Sequence, residues 1–203
     1  MVTLAIAWIG ALNLCEAQDL EQSKSLPAAS PYLTTDRLLR ASLYRIGVGS
    51  ALWREASARI FAGGGRVLVV TPSELRTTGL RPGTFDPGML AETIPVAGRD
   101  SRIQLVVVVV NLRSIAEAHN ARLSVAREVE ADLDRILVHE VYGHAIPYLL
   151  AGDLSGHCAD PKRGERASTA CSIRRENAVR AELGLGHRDD YGLESLRLAR
   201  GVW

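Results

Sequence analysis

The stretch "RILVHEVYGHAIPYLL", residues 135–150, decides how the chain is read. It continues a helical pattern in which Val125, Val129, Leu133, Ile136 and Leu137 recur at intervals that keep them on one apolar stripe. Glu140 follows Leu137, Ile136 and Leu133 by three, four and seven residues, so it falls on the same stripe. A carboxylate there is costly unless it is paired or put to use. Histidines flank it at 139 and 144. On a regular helix an i, i+5 pair points about 140° apart, against about 40° for i, i+4. The two imidazoles therefore meet only if the helix departs from regularity. Gly143 tolerates unusual dihedrals, and Pro147 has no N–H to give the Gly143 carbonyl. The sequence thus predicts a helix bulged or broken between Gly143 and Pro147, with His139 and His144 brought to one side; such bulges occur often at functional sites.

A His-Glu pair followed by a second histidine is a pattern for metal chemistry. The imidazoles hold an ion, and the glutamate acts as general base on a water whose pKa zinc lowers to about 7. The familiar form is HExxH, one residue shorter than the motif here. "HEVYGH" resembles the HExxGH variant of dipeptidyl peptidase III, in which a His-Glu and a Gly-His within one distorted helix supply two zinc ligands and a catalytic glutamate. The resemblance covers the motif, not the chain. It implies that His139 and His144 bind Zn2+ and that Glu140 is the base. It also implies an α+β, zincin-like fold, with a small sheet packed against a long motif-bearing helix and a second ligand helix.

A catalytic zinc site commonly has three protein ligands and an open position, so a third ligand is sought downstream. Glu176, in "RRENAVRAELGL", lies on a helical pattern three residues after Ile173 and seven before Leu183, which turns its carboxylate to the core side. In gluzincins the third ligand is a glutamate on a separate helix after the motif. Dipeptidyl peptidase III has a glutamate-rich segment ending in Arg-Ala-Glu there, and "VRAE" ends likewise, although Asn177 and Ala178 stand where its paired glutamates fall. "ENAVRAELGLGHRDDY" also resembles a stretch that follows HExxH in some bacterial toxin-type zinc peptidases. His157, Glu182 and His187 are the alternatives for the third ligand. Arg180, one turn after Glu176, is expected to orient it or to bind a substrate carboxylate. Tyr191 or His187 is expected to stabilise an oxyanion.

These residues point to a metallopeptidase acting on a peptide or protein substrate. The competing reading from another class is a non-catalytic exported zinc-binding protein, in which His139, His144, Glu176 and His157 close a structural four-ligand site. In a third, His157, Cys158 and Cys171 join the metal site. A disulfide between the two cysteines would exclude it.

The rest of the chain frames this centre. With 47% hydrophobic residues, 203 residues suffice for one sizeable core. A formal charge of +1, with no run of one sign, gives no electrostatic case for nucleic acid or an anionic membrane. Residues 1–17 read as a signal peptide, although no Lys or Arg precedes the apolar run, and residues 18–31 as a flexible linker. The expected location is secreted or periplasmic, with no membrane span once the leader is removed. Residues 32–203 read as one domain. Within it "TTDRLLRASLYRIGVGS" and "ALWREASARIFAGGG" predict two helices, "RVLVVT" a strand, and residues 76–100, rich in Gly, Pro and Thr, a long surface loop. "RIQLVVVVVNL" predicts a strand buried on both faces.

Overall fold

The structure, a computed structural model, describes residues 30–79, 85, 89–120, 126–157 and 171–188. The expected leader, linker residues 18–29, Cys158 and Tyr191 lie outside them.

A two-residue strand β1 (Tyr32–Leu33) leads into helices α1 (Arg37–Gly49) and α2 (Ala51–Ala62). These are the two expected helices, and each begins at a side chain that satisfies free amides. Asp36 accepts from the N–H groups of Leu38 and Leu39, and Ser50 accepts from Trp53 N at 3.0 Å. Gly64, at φ 78°, closes α2 in the left-handed region that glycine enters without strain. Then come β2 (Arg66–Val70), the single-turn helix α3 (Pro72–Leu75), β3 (Ala91–Ala97), β4 (Ile103–Val110) and α4 (Leu112–Asn120). Helix α5 (Ala126–Leu137) runs without interruption into a π-helix (Val138–Ala145) and then α6 (Ile146–Ala151). A 3₁₀ turn (Leu154–Gly156) and helix α7 (Cys171–Leu183) complete the described elements.

The architecture is α+β. The four strands form one mixed sheet in the order β1-β2-β4-β3, parallel except for β3, which runs antiparallel to β4. The "VVVVV" run lies in β4, between β2 and β3, and Val106 through Val110 are all fully buried. Alternate residues face opposite ways along a strand. Val106, Val108 and Val110 join Val67 and Val69 in the main core, with the helices, while Val107 and Val109 pack with Val70 and Leu75 on the other face. Leu137, Val138, Val141 and Ala145 belong to the main core too, so the helix that carries the motif lies on the sheet.

Residues 76–100 are not one loop. They contain β3, whose residues are mostly half-buried. Its sequence, "AETIPVA", hides it, because Pro95 cannot donate to a ladder and Glu92 and Thr93 blur the alternation. An edge strand tolerates all three. Among the described residues no helix is long and apolar enough to cross a membrane.

Ser50 joins three elements: it ends α1, caps α2 and donates its hydroxyl to the Glu182 carboxylate on α7. Ser50→Ala is expected to cost about 1–2 kcal/mol in urea unfolding, the usual loss for a helix cap. A variant as stable as the wild type would show that the cap contributes nothing.

Candidate metal centre

The extra residue in "HEVYGH" is absorbed by widening the helix. From Val138 to Ala145 the backbone is π-helical, and the Ile146 N–H bonds to the Val141 carbonyl, five residues back. In this pattern a residue and its fifth successor come nearly into line. The widening starts earlier than the Gly143–Pro147 span named from sequence, and it encloses both histidines. Their Nε2 atoms meet at 3.3 Å, with the rings edge to face and their centroids 4.8 Å apart.

Two contacts keep the wide turn in place. Tyr142 stacks on Trp53 of α2 at 6.3 Å between centroids, and Trp53 packs on Tyr32 at 5.2 Å. At Gly143 the chain passes under the start of α7, where a Cβ would stand 3.4 Å from the Ser172 carbonyl oxygen and 3.8 Å from His139 Nδ1. Glycine lets the two helices close on each other there.

Helix α7 brings in Glu176, only 1% exposed. Its Oε2 accepts from His139 Nδ1 at 3.0 Å and from Arg188 Nη1 at 3.0 Å, and its Oε1 accepts from Arg180 Nη1 at 2.6 Å. Burial opposes ionisation, but the His139 hydrogen bond and the charges of His139, Arg188 and Arg180 hold the carboxyl down at about 2. His139 responds in the opposite sense. Burial disfavours its cation, yet the bond to Glu176 and the charges of Glu140 and Glu176 raise its proton affinity above that of an ordinary imidazole.

Glu140 is half-buried at the edge of the sheet. Its Oε2 accepts from the Thr93 hydroxyl of β3 at 2.6 Å, and the same hydroxyl lies 3.0 Å from the Glu140 backbone oxygen. The other expected residues fall elsewhere. Glu182 accepts from Ser50 Oγ and Leu52 N. His157 Nδ1 pairs with Tyr148 Oη at 2.5 Å, and His187 is exposed. Cys171 is disulfide-bonded, which removes its sulfur from the list of metal ligands; its partner lies outside the described residues, as does Tyr191. Arg180 is fully buried, and its guanidinium ends on Glu176 and on the carbonyls of Gly186 and Leu185.

Three participants were given no role from the sequence: Thr93, Arg188 and Asn177, the last named only as standing where a paired glutamate falls. Asn177 grips Arg188 from both sides, its amide donating to the Arg188 carbonyl at 2.9 Å and its oxygen accepting from Arg188 N at 2.8 Å. That clamp folds the segment after α7 back onto the helix and delivers the Arg188 side chain to Glu176. A core-facing Glu176 needs cations, and Arg188 lies twelve residues on in the same stretch, which is the signal that could have found it. Thr93 gave none, being in a segment read as loop.

Glu176, His139 and His144 thus stand in a row with His139 in the middle. Among the described residues no three of His, Cys, Asp and Glu are gathered about one point as an ion's ligands. The fit to a metal rests on the two histidines. Nitrogens each about 2.0–2.1 Å from a tetrahedral zinc lie about 3.3–3.4 Å apart, which matches their 3.3 Å separation. No family model matches the chain, nor does any curated protein or solved structure.

Removing one partner of a buried ion pair leaves the other charge uncompensated. Arg180→Leu is therefore expected to destabilise the fold by about 3–5 kcal/mol and to speed hydrogen exchange in residues 184–188, where Arg180 holds the carbonyls of Leu185 and Gly186. Unchanged stability and exchange would mean that Glu176 does not depend on this cation.

Proposed function

We propose that the chain is a zinc-dependent metallopeptidase of zincin-like type, with His139 and His144 as histidine ligands and Glu140 as general base. The observation that carries this reading is the 3.3 Å approach of the two Nε2 atoms within a π-helix, a rare backbone form that is frequent at functional sites. A zincin-like arrangement is supported by the strand that precedes the motif helix and by the separate later helix that delivers Glu176. A peptide substrate is supported by β3, an edge strand of the sheet that Thr93 ties to Glu140. An edge strand offers backbone donors and acceptors to an extended peptide.

Bound at the histidines, zinc would supply a water acidic enough to act as nucleophile near neutral pH. The protein's own part is to aim groups at that water. Glu140 would be the residue that accepts that water's proton and returns it to the leaving nitrogen, which restores the carboxylate at the end of the cycle. Arg180 and Arg188 keep Glu176 ionised.

In this reading Glu176 is the third ligand only if its carboxylate leaves His139 Nδ1 for the side on which the two Nε2 atoms meet. A second reading is favoured by its bond to His139 Nδ1: the carboxylate orients the imidazole and raises its basicity from the far ring nitrogen, as carboxylates behind metal-binding histidines do. Zinc affinity separates the two. Loss of an orienting carboxylate in Glu176→Gln is expected to weaken zinc about 10- to 100-fold, whereas loss of a ligand is expected to abolish stoichiometric binding.

Hydrolysis tests the whole proposal. Glu140→Gln is expected to retain zinc and lose cleavage of casein or a generic peptide, while His139→Ala and His144→Ala lose the metal. Full activity in Glu140→Gln would sink the assignment of the base.

A further inference from the structure

The Thr93–Glu140 contact has a chemistry of its own, and it rests on the metallopeptidase reading above. We propose that Thr93 is the positioning residue for Glu140, holding the base in its working orientation from the edge of the sheet.

The geometry is specific to a hydroxyl. Thr93 pairs with Val108 across β3 and β4, and Val108 belongs to the core face that meets the helices. Thr93 shares that face, because directly opposed residues on paired strands point the same way. An apolar residue would suit it. Instead its Oγ1 lies 2.6 Å from Glu140 Oε2 and 3.0 Å from the Glu140 backbone oxygen. One side chain thus touches both the working end of Glu140 and the backbone from which it springs. A glutamate has three rotatable bonds, and fixing both ends of its path removes most of that freedom.

The contact also divides the carboxylate. Oε2 is held by Thr93, which leaves Oε1 to receive the water proton. A threonine hydroxyl has one hydrogen and accepts as well as donates. While Glu140 is a carboxylate, the hydrogen points to Oε2. With the transferred proton on Oε1, the Thr93 hydrogen still points to Oε2. Glu140 therefore keeps its orientation through both halves of the cycle, and no proton is lost to Thr93. Thr93 itself touches neither metal nor substrate in this scheme.

The test compares Thr93→Val, which keeps the shape and removes the hydroxyl, with Thr93→Ser, which keeps the hydroxyl. Zinc content, kcat and KM on a quenched fluorescent peptide, and the crystal structure of each variant are measured. Thr93→Val is expected to bind zinc as the wild type does, keep KM within about threefold and lose about 10- to 100-fold in kcat, the range typical of lost supporting contacts. Thr93→Ser is expected to restore kcat to within about threefold of wild type. In the Thr93→Val crystal the Glu140 carboxylate is expected in a different rotamer, a readout that needs no activity. Wild-type kcat in Thr93→Val, equal losses in both variants, or an unmoved Glu140 would overturn the proposal. A wild type that neither binds zinc nor cuts peptide would overturn the metallopeptidase reading and, with it, the catalytic purpose assigned to Thr93.

Discussion

A carboxylate with 1% exposure is stable only where its charge is answered, and Glu176 is answered from three directions. His139 reaches it from the π-helix, Arg180 from one turn along its own helix, and Arg188 from the segment folded back by Asn177. These bonds join α7 to the motif helix and fix one nitrogen of His139. The other nitrogen is left facing His144. Were Glu176 unpaired, burial alone would push it toward the neutral form, and the orientation of His139 would have no electrostatic reason to persist. The network also explains why "ENAVRAELGLGHR" reads as a unit: its Glu, Asn and two Arg each hold another member of the same stretch.

The second constraint is the width of the helix. Five residues between histidines on an ordinary α-helix would send them apart, and the chain meets this by π-helical bonding over eight residues rather than by a break. Packing sustains the wide turn. Tyr142 is anchored on Trp53, Gly143 lets Ser172 come close, and Thr93 on the sheet donates to the Glu140 carboxylate. Each contact comes from a different element, so the irregular segment is held by the tertiary structure around it.

Much of this was legible in the chain, and the limits are physical. The α1 and α2 helices and strand β4 follow from local periodicity, caps and a continuous β-branched run, which a window of ten or so residues contains. Strand β3 does not, because an edge strand carrying Pro95, Glu92 and Thr93 has little pattern to show, and its partner β4 does the burying. In the centre, Glu140 and Glu176 were named from their places on apolar stripes, and His139 and His144 from the motif around Glu140. Thr93 and Arg188 reach the centre through a strand pairing and a folded-back segment. Those are facts of tertiary structure, and no local spacing encodes them.

The claim on which the rest stands is that His139 and His144 converge in order to hold an ion. Elemental analysis of the purified full chain, dialysed against trace zinc and then against metal-free buffer, tests it directly. The account predicts about one zinc per chain in the wild type and none in the His139→Ala, His144→Ala double variant. A folded wild-type protein that retains no zinc would contradict it, and would leave the π-helix and its paired imidazoles as features of packing alone.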